Sequence, residues 1–259
     1  GCKCVTHEAN AICGKANRWL SYIVDVCAVN FEEARNSIPC KPEKVRVTKM
    51  PICNFAMGPR EEALEYFDLD KDRKTVLIIG GSQGAQKMYQ DLSDIVLLLD
   101  KDSAFDRWQL LWSTGKANYD ALNEKLLTVR KPEHLHIKLI PFISRMDLAL
   151  TVSDLAITRA GASTIAELTT ARILPIFVPL PTAIYNHQEL NARIICASWS
   201  GKMILQNDLS DIAKSAEFIK QFILSRSETT EKPAVPPQFD CKDASQLLAE
   251  LVLSLCHNK

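Results

Sequence analysis

The chain has 259 residues, 47% of them hydrophobic, with 31 basic side chains against 31 acidic ones. That length and apolar content allow a substantial core in one or two domains, and the cancelled charge leaves no whole-chain field to recruit nucleic acid or an anionic membrane. No run approaches the eighteen or so apolar residues of a membrane-crossing helix, and the opening Gly1-Cys2-Lys3-Cys4-Val5, running into polar Thr6-His7-Glu8-Ala9-Asn10, does not read as a secretory signal.

In chain order, residues 1–55 read as the closing elements of a sheet: a short strand ending at Val5-Thr6, a helix over 15–22, a strand over 24–31 and another over 44–48. Cys2, Cys4, Cys13, Cys27, Cys40 and Cys53 crowd this part. No C-x-x-C pair occurs, the total of nine is odd, and several cysteines sit in apolar runs where a thiol acts as a small hydrophobe. A zinc site on Cys2, Cys4, His7 and Cys13 therefore ranks below a reduced, cytosolic chain. Residues 56–74, with Gly58, Pro59 and many charges, read as a linker.

From residue 75 strands near 75–79, 108–112, 136–140, 154–158, 174–178 and 202–205 alternate with helices near 85–99, 118–128, 145–152, 164–172, 187–199 and 208–225. Continuous apolar strands separated by amphipathic helices predict an α/β domain over 75–240, a doubly wound parallel sheet covered on both faces. After a polar, Pro-rich stretch, a terminal helix within 241–259 carries Ala244, Leu247, Leu248, Leu251, Val252 and Leu255 on one face and is expected to pack back toward the N-terminal part. Trp19, Trp108, Trp112 and Trp199 lie in periodic apolar segments and are expected in the core.

Ligands of such sheets bind outside the carboxyl ends of the strands, and the unusual loops fall there. Gly80-Gly81-Ser82-Gln83-Gly84-Ala85 joins an apolar strand to a helix. A helix start leaves backbone N–H groups unpaired and carries roughly +0.5 of a charge, while glycines let an anion approach the main chain. The spacing departs from G-x-G-x-x-G, no Lys-Ser/Thr follows, and a plain tight turn would use the same glycines. Arg159-Ala160-Gly161-Ala162-Ser163-Thr164 repeats the chemistry at a second strand end. Glu167 has two readings: with Thr164 it fits a capping box, or it accepts hydrogen bonds from ribose hydroxyls at the mouth of a nucleotide pocket. His187 and Gln188 open a helix after Pro179-Leu180-Pro181, either facing water or reading the hydroxyls of a sugar. The D-x-D patterns at 68–70 and 100–102 lie away from these loops and read as solvated surface.

With these loops in hand, the chain resembles the MurG family of glycosyltransferases. The matching stretches are His7-Glu8-Ala9-Asn10 with Gly14-Lys15-Ala16-Asn17-Arg18, Gly80 to Ala85, Pro141-Phe142-Ile143 with Met146, the run Asp154 to Leu168, Val178-Pro179-Leu180-Pro181, and His187-Gln188 with Asn191-Ala192-Arg193. The resemblance implies a GT-B architecture, two Rossmann-like domains facing a cleft, here with a truncated N-terminal portion. It implies transfer of N-acetylglucosamine from UDP-N-acetylglucosamine to a lipid-linked muramoyl-peptide in peptidoglycan synthesis, with inversion, without metal or cofactor, by a peripheral protein at the cytoplasmic face of the membrane.

Carried over position by position, the resemblance implies that Gly81, Ser82, Gln83 and Gly84 hold the donor diphosphate and that Ile143 lends its backbone to the uracil. Ala162, Ser163 and Thr164 would line the nucleotide, with Glu167 on the ribose. His187 and Gln188 would read the sugar, and Asn10 would face it from across the cleft. The general base expected of the family, a histidine in an N-terminal glycine-rich loop, has no counterpart in this sequence, so no catalytic residue is assigned. Lys49-Met50-Pro51-Ile52-Cys53 stands where the family typically has Gly-Asn-Pro-Val-Arg, Ala9 where glutamine is usual, and Thr182 where histidine is common. The expectation is a transferase represented without its acceptor-binding start, and so inactive alone. The alternative is a non-catalytic UDP-sugar-binding half of a split glycosyltransferase that needs a partner subunit.

Overall fold

A computed structural model describes residues 2–52, 57–81, 85–129, 131–229, 231–241 and 243–257. The N-terminal part contains β1 (Val5–Glu8), α1 (Lys15–Leu20), β2 (Val26–Val29) and β3 (Val45–Val47), with a 3-10 turn over Glu32–Ser37. Its three strands pair in parallel in the order β1-β2-β3. Cys13, Val24, Cys27, Val29, Ala34, Ile38 and Val45 form a small core against them. Burial pushes the Cys13 and Cys27 thiols up to about 12, so both stay protonated and pack as hydrophobes.

The stretch read as a linker contains α2 (Arg60–Phe67), whose Ala63, Leu64 and Phe67 are buried in the main core. Then follow β4 (Lys74–Ile79), α3 (Gln86–Leu99), β5 (Trp108–Ser113), α4 (Lys116–Asn123), β6 (His136–Ile140), α5 (Met146–Val152), β7 (Leu155–Thr158), α6 (Ala162–Ala171), β8 (Leu174–Phe177), α7 (His187–Ser198), β9 (Lys202–Met203), α8 (Gln206–Leu209), α9 (Ile212–Leu224) and α10 (Ala244–His257). The six strands pair in the order β6-β5-β4-β7-β8-β9, every pair parallel. Helices on both faces explain why β7 and β8 are buried at every position, with no polar alternation.

Three elements differ from the sequence reading for local reasons. The helix expected over 118–128 starts earlier, because Gly115 adopts a left-handed φ of 71° and lets the chain turn into α4 directly; beyond Asn123 it loosens into a π-turn over Glu124–Thr128. The expected 208–225 helix is two, because the Asp211 side chain accepts from the Lys214 N–H and caps α9 afresh. Trp19 is 76% exposed, correcting the core assignment: α1 has six residues and none is buried, so its periodicity has no core behind it. Trp108, Trp112 and Trp199 are buried.

The two parts join through a short list of contacts. Lys49, whose carbonyl accepts from His7 Nε2 at 2.9 Å within the N-terminal part, donates from Nζ across the junction to the carbonyls of Pro237 at 2.8 Å and Asp240 at 2.6 Å. Phe31 and Phe239 rings meet at 6.5 Å, and Cys241 and Ala244 pack with Ala166 against Met50 and Ile52. The start of α10 is thereby anchored beside residues 50–52, whereas Leu247, Val252 and Leu253 farther along are exposed. Lys49 holds φ at 60°, a region that costs a side-chain-bearing residue roughly 1–2 kcal/mol, and its ammonium bonds hold it there. Lys49→Met keeps that cost and loses both bonds. Thermal unfolding should show a loss of about 1 kcal/mol, a fall of about 2–4 °C; an unchanged melting curve would mean that the junction does not depend on them.

Candidate functional site

The strand order β6-β5-β4-β7-β8-β9 reverses direction between β4 and β7, and chains leaving their carboxyl ends diverge to opposite faces, opening a crevice at that point. A cavity of about 570 Å³ occupies it. One wall is Ile79, Gly80 and Gly81 after β4, with Gln86 and Tyr89 of α3; another is Ser113 to Asn118 after β5; a third is Pro141-Phe142-Ile143 with Met146; the fourth is Thr164 and Glu167 of α6.

Gly80 is the tightest point. A Cβ there would lie 2.5 Å from the Ala85 Cβ and 2.5 Å from the Tyr89 hydroxyl, so only glycine lets α3 pack down on the strand end. Tyr89 donates its hydroxyl to the Ser113 carbonyl at 2.8 Å and packs edge-on against Trp112 at 5.6 Å, tying α3 to the end of β5. Burial pushes this phenol up to about 12, which keeps it a donor. At Gly81 a Cβ would meet nothing within 4 Å, so the chain lies open to the cavity.

The first turns of α3, α4, α5 and α6 all reach the cavity, at Gln86, Lys116, Met146 and Thr164. The N-caps of α4 and α6, Gly115 and Gly161, make no side-chain capping bond. Unpaired helix N–H groups and aligned peptide dipoles therefore point at one volume, which suits an anion. Among the described lining residues the charges are Lys116 and Glu167.

Glu167 does not cap α6. Helix α6 begins at Ala162 with Gly161 as N-cap, so Thr164 stands in the first turn and Glu167 in the second, and the capping-box register does not arise. The carboxyl instead lines the cavity, and burial alone holds it above the usual glutamate range. The loop before α6 is fixed by Arg159, whose buried guanidinium donates from Nη1 to the carbonyls of Val178 at 2.8 Å and Pro179 at 3.1 Å, binding the ends of β7 and β8 together. Burial lowers this guanidinium to about 10, so it remains charged.

Of the candidates from sequence, Gly81, Ile143, Thr164 and Glu167 share the cavity. Ala162 is buried at the start of α6 and Ser163 is exposed, neither on its wall. Ser82, Gln83 and Gly84, like Cys53, lie outside the described residues. Asn10 and His187 line a second cavity of about 350 Å³ where the 10–17 loop faces Ile184 and Tyr185. Gln188 lines neither: its Oε1 accepts from the Leu180 N–H at 3.0 Å. His187 donates from Nδ1 to the Ile184 carbonyl at 2.8 Å. Tyr185 and Asn186 just before it both hold φ at 55°, a costly pair for residues with side chains.

The sequence reading missed the Ser113–Asn118 wall, although an apolar strand, Ser-Thr-Gly and a helical pattern repeat the grammar of the other two turns. Residues 75–248 match the model for the glycosyltransferase family 28 C-terminal domain. The chain belongs to glycosyltransferase family 28. It is 32% identical over 250 residues to the UDP-N-acetylglucosamine–N-acetylmuramyl-(pentapeptide) pyrophosphoryl-undecaprenol N-acetylglucosamine transferase of Caldanaerobacter subterraneus, spanning 96% of this chain and 67% of that enzyme. The enzyme of the same name from Acetivibrio thermocellus is 31% identical over 257 residues, 98% of this chain and 67% of its own. The chain thus spans about two thirds of these relatives. The MurG crystal structure from Acinetobacter baumannii superposes with a TM-score of 0.68 at 24% identity, covering 98% of this chain and 67% of that one, which gives the family 28 chain a GT-B-type α/β fold.

The two glycines should separate folding from binding space. Gly80→Ala is expected to cost about 1–3 kcal/mol in urea unfolding, whereas Gly81→Ala should stay within about 0.5 kcal/mol of wild type. Equal effects would contradict the packing described.

Proposed function

We propose that this family 28 glycosyltransferase moves N-acetylglucosamine from UDP-N-acetylglucosamine to a lipid-linked muramoyl-pentapeptide, with inversion, the transfer for which its curated relatives are named. The observation that carries the reading is the cavity at the β4/β7 crossing, where four helix starts and the half-buried Glu167 converge. Glycosyl transfer needs a stabilised diphosphate leaving group, and N–H groups already oriented toward it stabilise developing charge at no reorganisation cost. Gly81 with the adjoining Ser82, Gln83 and Gly84, and the α6 start at Ala162, Ser163 and Thr164, are proposed for the diphosphate. Ile143 is proposed for the uracil and Glu167 for the ribose, since an ionised carboxylate accepts from two hydroxyls at once. His187 and Gln188 from α7 and Asn10 from the other side are proposed for the sugar.

The same reading divides the chain. Residues 1–55 belong to the acceptor-side domain, 56–74 connect, 75–240 bind the donor, and 241–259 return toward the N-terminal part, as the packing of Ala244 beside Met50 and Ile52 supports. Association with the cytoplasmic face of the membrane is proposed to be peripheral: among the described residues no helix is long and apolar enough to cross a bilayer. Trp19, Tyr22 and Ile23, exposed by 76%, 61% and 78%, lie beside Lys15 and Arg18. Amphipathic aromatics with basic neighbours suit an anionic lipid surface.

Calorimetry with UDP-N-acetylglucosamine tests the donor site. Because burial raises the Glu167 pKa, its charged form is lost as pH falls through that raised value; donor affinity should therefore weaken on acidification and strengthen on return to neutral pH. Glu167→Gln should weaken binding about tenfold, about 1.4 kcal/mol, and flatten the pH profile. No binding by wild type, or an unaltered profile in the variant, overturns the assignment. In sedimentation with phosphatidylglycerol vesicles, Trp19→Ser with Ile23→Ser should lose most of the bound fraction; equal sedimentation would remove α1 from the membrane contact.

A further inference from the structure

Resting on the donor-site reading above, we infer that Asn191 is a positioning residue that locks the sugar-facing amide of Asn10 to the start of α6, across the junction of the two sheets. Asn191 lies early in α7 with no exposed surface. Its Oδ1 accepts from the Ala11 N–H at 2.9 Å, and its Nδ2 donates to Asn10 Oδ1 at 3.1 Å and to the Ala160 carbonyl at 3.2 Å. The orientation is forced: Ala11 offers only a donor and the Ala160 carbonyl is only an acceptor, so a flipped amide would oppose both.

Each end of this link leads to a cavity. Ala160 immediately precedes Gly161, the N-cap of α6, whose Thr164 and Glu167 line the first cavity. Asn10 lines the second, and its amide has no freedom left. Asn10 Nδ2 donates to Glu8 Oε1 at 3.3 Å, as does the Asn10 backbone N–H at 2.9 Å. Buried Glu8 is held in turn by the Gly14 N–H and Asn17 Nδ2, each at 2.9 Å from Oε2. A continuous run of hydrogen bonds therefore joins the first sheet's loop to the helix start proposed for the diphosphate, and Asn191 is the one side chain in it that touches both. Aspartate in its place would still accept from Ala11 but, when ionised, would face two acceptors with nothing to donate.

A merely structural asparagine and a positioning one differ in what they change. Calorimetry on the full chain with UDP and with UDP-N-acetylglucosamine gives a ratio of affinities in which the pH response of Glu167 cancels. In Asn191→Asp the ratio of sugar-nucleotide to UDP affinity should fall about tenfold while UDP affinity stays within about twofold. The ratio should recover on acidification, when the protonated aspartate can donate. Asn10→Ala, free of a new buried charge, should give the same fall with UDP affinity within about twofold of wild type, and the double variant should fall no further than either single. A ratio unchanged in Asn10→Ala, or losses of both ligands in parallel without acid recovery in Asn191→Asp, would overturn the inference. Failure of wild type to bind either ligand would overturn the donor-site reading instead.

Discussion

The site depends on one constraint of connectivity. Strand β4 pairs in parallel with both β5 and β7, so the chain after residue 79 and the chain after residue 158 leave toward opposite faces, and the described residues leave a hollow between their exits. That hollow is stable only because its walls are pinned from behind. Gly80 lets α3 approach within a distance no side chain would tolerate, Tyr89 ties α3 to β5, and Arg159 ties the ends of β7 and β8. Rigid walls matter because oriented dipoles stabilise charge only if they need not reorganise.

The second sheet was legible because its strands are buried on both faces, and unbroken apolar runs between amphipathic helices have few other meanings. The turns at 80 and 159 were legible for the same reason, as departures from that grammar. What escaped the sequence depended on neighbours. Thr164 with Glu167 imitates a cap, but an extended Gly161 ends the loop earlier and puts the carboxyl in the cavity. Gly115 starts α4 through a left-handed turn that periodicity does not register. Trp19 lies on a periodic helix whose outer face has no partner among the described residues. Asn191 enters the sequence reading only within a matching stretch and with no role, because its partner Ala11 lies 180 positions away.

The junction between the sheets shows how a departure from family pattern is accommodated. Lys49 stands where the MurG family typically has glycine, and its backbone keeps the positive φ that glycine adopts freely. The lysine offsets that strain by reaching the carbonyls of Pro237 and Asp240, so a residue unsuited to the turn contributes an anchor for the C-terminal segment. Elsewhere on the junction, the Asn191 amide bonds Ala11 and Asn10 on one side and Ala160 on the other. A junction held in this way sets residues of the two sheets, Glu167 at one cavity and Asn10 at the other, at a defined spacing, as the proposed transfer between two bound substrates would require.

A crystal structure of the chain with UDP-N-acetylglucosamine is the most direct measurement of the central claim. The account predicts the diphosphate over Gly81 and the first turn of α6, the ribose hydroxyls on Glu167, and the sugar directed toward His187 and Asn10. Density for the nucleotide on another surface, with the hollow between β4 and β7 holding only solvent, would contradict it.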